Sequence, residues 1–288
     1  MRVHVLLFGP LAEIYATREE WIELPSSSNE APTAADLYRH YRQRDPRIGE
    51  VQKSLHIAVN QTIVAPNHPL APNDEVALLP PVCGGTSAPE SNAADLIDLL
   101  ETPLETYPWR EHLTRTAKNF GAITSFEGLV RHDKVSTAQL STGQGGSEQA
   151  STRQSEPVTA LAFEAYRPMA LAALQQIATE ARQRWPIQAL VLLHRLGNIP
   201  TGQICVITAV ATSHREEAFA ACKFLIDTLK TTVPLWKKEI TASSSHWVRG
   251  VLLPAAKETT SAPNPETQSR AESEKTQRRF VLNKKLSS

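Results

Sequence analysis

Cysteine is scarce in this chain: Cys83, Cys205 and Cys222 are the only three among 288 residues. An odd number at wide spacing offers neither a disulfide framework nor a paired-cysteine zinc motif. A surplus of charge is missing too, because Lys and Arg total 30 and so do Asp and Glu. A balanced chain has no global attraction for nucleic acid or an anionic membrane, so any anion binding has to come from a local cluster. No apolar run approaches the roughly 18 residues that span a bilayer. Met1–Pro10 alternates like a strand and carries no basic leader. There is no P-loop and no dinucleotide fingerprint, and none of the nine histidines is spaced with the cysteines as zinc ligands. A cytoplasmic protein without nucleic-acid or membrane partners is the simplest reading.

What is present is an ordinary globular composition, 41% apolar and 21% charged, in a length that suits two domains. The first eighty residues read as strand, strand, helix, strands. Val3–Phe8 and Glu20–Leu24 can pair as a hairpin, and Thr33 with Asp36 has near capping-box spacing for a helix through Leu37 and Tyr41. His56–Asn60 and Ile63-Val64 flank a turn, and Glu75–Leu79 is a last apolar strand. That strand runs into Pro80-Pro81-Val82-Cys83-Gly84-Gly85. A stiff double proline followed by two residues without side chains suits insertion into a narrow slot. It suits the start of an interdomain linker equally well, and the stretch alone leaves both open.

Residues 86–95 are small and polar and read as a linker. A second domain follows over 96–254, with a helix from Pro108-Trp109 to about Lys118, a strand over Ala122–Val130, and a low-complexity loop over 135–157. Thr159–Tyr166 is a strand, and Pro168 opens a helix carrying Leu171, Leu174, Ile177 and Ala181 on one stripe. Arg182 and Arg184 read as caps of its C-terminus. Leu190–His194 and Ile204–Thr212 are buried-type strands around a turn at Gly197–Gly202. Residues 255–288 are polar and read as a disordered tail.

Four features of the second domain point to anion chemistry. Ser213-His214-Arg215-Glu216 has the form of a capping box, with Ser213 as N-cap, which puts His214 and Arg215 in a first helical turn that already favours an anion. Lys230 closes that helix, where dipole compensation is the ordinary role of a lysine. Lys237 and Lys238 follow Trp236, whose ring can bury a lysine stem and make a usable amine. Arg131, ending its strand, can close the ring of positive groups. Spacing alone gives an anion-binding surface without a stated purpose.

Together these residues resemble a fusion of the small and large subunits of the molybdopterin synthase family. The small-subunit likeness rests on Ala58-Val59-Asn60-Gln61, Asp74-Glu75-Val76-Ala77 and Leu79-Pro80-Pro81-Val82 with Gly84-Gly85. The large-subunit likeness rests on Gly121-Ala122-Ile123, Gly128-Leu129-Val130-Arg131, His194-Arg195-Leu196-Gly197, Ser213-His214-Arg215, Leu229-Lys230-Thr231 and Pro234–Glu239. The resemblance implies an α+β chain: an N-terminal ubiquitin-like β-grasp sulfur carrier over 1–85, then an α/β-hammerhead-type catalytic domain. It implies a sulfurtransferase in molybdenum cofactor biosynthesis, moving sulfur from a glycine thiocarboxylate at Gly85 to cyclic pyranopterin monophosphate. Lys230 and Lys237 would be the catalytic lysines, Arg131, His214 and Arg215 would bind the substrate, and Lys238 and Glu239 would line the same pocket. No tightly bound cofactor is expected; ATP would be used by an adenylating, sulfur-loading partner. The family also implies a homodimer through the catalytic domain. Because Gly85 is in a peptide bond to Thr86, a processing protease is expected to cut after Gly85. The competing readings are a non-catalytic fusion of a ubiquitin-like and an anion-binding module, and a carrier serving another acceptor.

Overall fold

The computed structural model describes residues 1–25, 31–50, 55–80, 92, 94–132 and 156–248. The expectations for Cys83, Gly84 and Gly85, for the loop at 135–155 and for the tail at 255–288 lie outside the described residues.

The first part is one five-stranded sheet. Its strands are β1 (Arg2–Leu7), β2 (Glu19–Glu23), β3 (His56–Val59), β4 (Thr62–Val64) and β5 (Glu75–Leu79), in the order β2-β1-β5-β3-β4. The central pair β1 and β5 is parallel, and parallel neighbours need a crossover. The connection includes two helices, α1 (Pro10–Ile14) and α2 (Ala34–Arg44). The expected cap of α2 is there: the Asp36 carboxylate accepts from the Thr33 N–H and hydroxyl, both at 2.8 Å. The turn between β3 and β4 places Asn60 and Gln61 at φ 47° and 69°, the left-handed pair a tight hairpin needs. Alternation sorts the strands into two faces. Val3, Val5, Leu7, Val76 and Leu78 are fully buried against Leu37 and Tyr41 of α2. This is the β-grasp arrangement.

The second part adds, in chain order, β6 (Asp95–Leu100), α3 (Trp109–Thr116), β7 (Ala122–Leu129), β8 (Ala160–Ala165), α4 (Arg167–Arg184), β9 (Ala189–Arg195), β10 (Gly197–Pro200), β11 (Ile204–Thr212), α5 (Arg215–Thr232), β12 (Leu235–Ile240) and β13 (Ser245–Trp247). They make two four-stranded sheets, β6-β9-β11-β7 and β10-β8-β12-β13. The continuous apolar runs of β9 and β11 follow from cover on both faces. Leu190, Leu192 and Val210 pack in one cluster with residues of α4 and α5, while Val191, Leu193 and Ile207 pack in another with Trp109 and Leu113 of α3. The whole is α+β, as the sequence implies.

Strand β6 has no counterpart in the sequence reading. Its Asp95 and Asp98 interrupt the apolar pattern, and Asp95 turns out to be a buried carboxylate gripped by Arg182 through both Nε and Nη2. Arg182 also donates to Ile187 O at 2.6 Å. The expected helix cap at Arg182 is therefore a clamp that ties β6 to α4.

The outer face of the first sheet rests on the second part. Phe8 stacks on Trp236 with centroids 4.9 Å apart and planes 6° from parallel, a contact worth about 0.5–1.5 kcal/mol beyond the area it covers. Ala58, Ala77 and Leu79 join Tyr166, Met169 and Trp236 in the same buried cluster. Gly9 allows the approach, because it sits at φ +54° with a notional Cβ 3.2 Å from the Trp236 ring. Around this apolar centre, Arg18 pairs with Glu164 at 2.7 Å, Lys238 with Glu13, and the Tyr166 hydroxyl with Glu75.

Candidate active site

Helix α5 packs on the first sheet of the second part through Ala218, Ala221, Cys222, Leu225 and Leu229. Lys230 follows Leu229 in the last turn, on the exposed flank, with its Nζ 5.5 Å from the centroid of Phe126 on β7. Val233 caps the helix and Pro234 starts the turn into β12, since proline cannot continue an α-helix.

Strand β12 sorts its residues by parity. Trp236 and Lys238 face the first part of the chain; the Trp236 Nε1–H donates to Pro80 O at 3.3 Å, and Lys238 meets Glu13 with its Nζ 5.3 Å from the Trp247 ring. Lys237 and Glu239 belong to the other face, with Lys237 Nζ 3.4 Å from Glu239 Oε1. The expectation that Lys238 lines a pocket with Lys237 and Glu239 is therefore corrected, because neighbours in a strand point to opposite faces. The same parity removes Trp236 from Lys237: its ring covers the β-grasp sheet.

Lys230 and Lys237 both lie within electrostatic range of Cys205. Burial pushes the Cys205 thiol up, and the charges of Lys230 and then Lys237 pull it back. The thiol itself donates to Gly128 O at 3.2 Å, at a register shift where β11 meets the end of β7. Arg131 lies just past that end, exposed, after Val130 is held by Gln203 O and Gly202 N–H at 3.0 and 2.8 Å. The chain thus brings Lys230, Lys237, Glu239 and the backbone of Arg131 to one end of the β7–β11 pair.

His214 and Arg215 belong to the opposite end. Arg215 and Lys230 bound fifteen helical steps of α5, a separation of roughly 22 Å at 1.5 Å per residue. The cap differs from expectation as well: His214 is the N-cap, without a side-chain cap bond, and the first turn holds Glu216 and Glu217. Ser213 is drawn off, its hydroxyl donating to Asn119 O and accepting from Gln188, both at 3.4 Å. Glu216 and Glu217 already complement the helix dipole, so anion binding at this end has to rest on the His214 and Arg215 side chains. Gly85 lies outside the described residues. It is five residues beyond Pro80, whose carbonyl is bonded to the immediate neighbour of Lys237, and five extended residues reach at most about 17 Å.

Sequence reasoning passed over Cys205, Phe126 and His246. His246 lies opposite Glu239 in the β12–β13 ladder, with Nε2 3.2 Å from Glu239 Oε2. Alternation within Leu235–Ile240 was the available signal for separating Lys237 from Lys238. The proximity of Lys230 and Lys237 to Cys205 has no sequence signal, because α5, β11 and β12 are brought together only by packing. Among the described residues, no group of three or more His, Cys, Asp or Glu side chains could hold a metal, and no helix is long and apolar enough to cross a membrane.

Two family models match the chain: the ThiS family over residues 5–85 and the MoaE protein over residues 100–232. The molybdopterin synthase catalytic subunit of Arabidopsis thaliana is 35% identical over 163 residues, covering 56% of this chain and 70% of that protein. The chain belongs to the molybdopterin synthase catalytic subunit family. It carries a ThiS-family segment ahead of the family's own domain, so both components lie in one polypeptide. The family's catalytic subunit in a Nostoc strain is 47% identical over 96 residues, where the match spans 33% of this chain and about half of the relative, 54%. The solved molybdopterin synthase of Staphylococcus aureus is 29% identical, with a TM-score of 0.42 over 53% of this chain and 96% of that one.

Proposed function

We propose that this chain makes molybdopterin: it transfers sulfur from a thiocarboxylate at Gly85 to cyclic pyranopterin monophosphate, building the dithiolene with two such sulfurs. The observation that carries the proposal is that Lys230 and Lys237 both lie within electrostatic range of Cys205, Lys237 standing on the strand to which Pro80, one residue past the β-grasp sheet, is bonded. Two amines there can neutralise charge that develops as sulfur attacks and can move a proton to or from the substrate. The short reach from Pro80 allows a side-chain-free tail to enter from the docked carrier.

Gly85 needs a free carboxylate before it can carry sulfur. Hydrolysis of the Gly85–Thr86 bond by a protease supplies it; an ATP-dependent partner then adenylates the carboxylate, and sulfur displaces AMP. An amide carbonyl offers no such leaving path. No tightly bound cofactor enters this scheme.

The substrate phosphate calls for His214 and Arg215 near the lysines, and one chain keeps them about 22 Å apart. A second copy resolves this. Strand β7 is the edge of its sheet and exposes Phe126 and Leu129, with Phe219 of α5 exposed at 63%. Antiparallel pairing of two β7 edges about a two-fold axis would set the Ala122 end of one copy beside the Leu129 end of the other. His214 and Arg215 of the second copy then approach Lys230 and Arg131 of the first. An open, partly apolar edge strand calls for such cover.

Mass spectrometry of protein purified from its native host tests the processing step: a fragment ending at Gly85, with or without an added sulfur, is expected. A single uncut species with full synthase activity overturns it. Lys230→Ala is expected to lower conversion of precursor to molybdopterin by about 100-fold or more; wild-type conversion by that variant would remove Lys230 from the chemistry.

A further inference from the structure

Glu239 is 7% exposed and is held from two sides. Its Oε1 faces the Lys237 amine at 3.4 Å, and its Oε2 faces His246 Nε2 at 3.2 Å. Among the described residues Oε2 makes no hydrogen bond and the imidazole is its close polar neighbour; a buried carboxylate oxygen is costly without one. The arrangement is built into the backbone. Glu239 and His246 are direct partners in the antiparallel ladder, where opposed side chains lie within contact, and the Val248 N–H closes the ladder on Lys237 O at 2.8 Å. His246 is 40% exposed at its side chain, so it reaches Glu239 from the solvent side while Lys237 reaches it from the site.

We propose that His246 is a positioning residue for Lys237, acting through Glu239. A lysine amine sits on four rotatable bonds and reaches one point in space only if something holds it. Glu239 can hold it with Oε1 only while its carboxylate is kept from rotating, and among the described residues the side chain placed against the other oxygen is His246. Among the described residues, Cys205 of β11 lies within electrostatic range of Lys237 and of Lys230 on α5. Lys237 and Glu239 come from β12 and His246 from β13, while the opposed positions on β8 are Phe163 and Leu161, which bring no charge. The catalytic consequence rests on the reading that Lys237 acts in sulfur transfer; the positioning itself does not.

A double-mutant cycle on the full chain tests it, with His246→Ala, Glu239→Gln and the double variant. The first readout is the rate of Lys237 acetylation by a pulse of acetic anhydride, measured by mass spectrometry against Lys223 as internal reference. His246→Ala is expected to change that rate by about threefold or more, and Glu239→Gln to do the same, with no further change in the double variant. His246→Gln, which keeps a polar side chain of similar reach against Glu239 Oε2, is expected to restore the wild-type rate. Unchanged Lys237 labelling in His246→Ala, or effects that simply add in the double variant, overturns the proposal. The second readout is turnover: kcat is expected to fall about tenfold in His246→Ala with KM held within about twofold. If the labelling cycle behaves as expected but Lys237→Ala converts precursor normally, the positioning stands and the assignment of Lys237 to the chemistry falls.

Discussion

At the scale of single residues, His194 shows how burial writes itself into pH dependence. It lies in β9 with its ring edge-on to Phe163 at 4.8 Å and Nδ1 2.8 Å from Arg195 O. Burial pushes its imidazole down to about 4, whereas the unfolded ring titrates near the ordinary value of about 6.5. Between those values the unfolded chain binds a proton that the folded one refuses, so stability rises with pH across the window. What His194 contributes is present above about pH 6.5 and is lost as pH falls toward 4, on the order of 3 kcal/mol at the bottom. Denaturant unfolding at pH 7, 6 and 5 is expected to show this slope, and His194→Gln to flatten it. The same slope in that variant would place the titrating group elsewhere. The sequence places His194 at the end of a buried-type strand, Leu190–His194, and its side chain is buried there. It gave no sign that Glu239 and His246 would meet, because β13 is three residues long and its pairing is decided by the hairpin.

At the scale of elements, the entry to α5 depends on a close backbone approach. Gly121 donates its N–H to Thr212 O at 3.0 Å, and a Cβ added to it would stand 2.5 Å from Ser213 O. A carbonyl cannot swing aside as a side-chain tip can. Gly121→Ala is expected to cost about 1–3 kcal/mol and to disturb the His214–Arg215 end of the helix. Gly49→Ala, with nothing within 4 Å of its notional Cβ, is expected to stay within about 0.5 kcal/mol of wild type. Chemical denaturation of both variants checks the contrast, and equal effects would contradict it. Element positions along Val3–Phe8, Glu75–Leu79, Leu190–His194 and Ile204–Thr212 were legible because periodicity reports burial directly. The cap at Ser213 was misread because its hydroxyl has competing partners, Asn119 and Gln188, that are close only in the folded chain.

At the scale of the whole molecule, the two parts are joined by an apolar centre with a polar rim. Exposed rim pairs such as Arg18–Glu164 contribute little, about 0.2–1 kcal/mol each, so the Phe8–Trp236 stack and its neighbours carry the contact. Phe8→Ala is expected to cost about 3–5 kcal/mol, most of it at the contact between the parts. Calorimetry is then expected to resolve two transitions in the variant where the wild type shows one; one unchanged transition would show that the stack does not couple them. The contact also sets where the Gly-Gly tail begins, since Trp236 holds Pro80 on one face of β12 while Lys237 occupies the other.

The sequence by itself determined the two-part α+β architecture, the order of most elements, and the residue types needed for chemistry on an anion. Those properties follow from local periodicity and from side-chain chemistry, which need no knowledge of distant contacts. Tertiary structure alone decided which candidates share a site. It brought Lys230 and Lys237 within electrostatic range of Cys205, turned Lys238 and Trp236 to the β-grasp sheet, and put the length of α5 between Lys230 and His214. Strand parity and helix rise are simple rules, but they act on neighbours that only packing supplies.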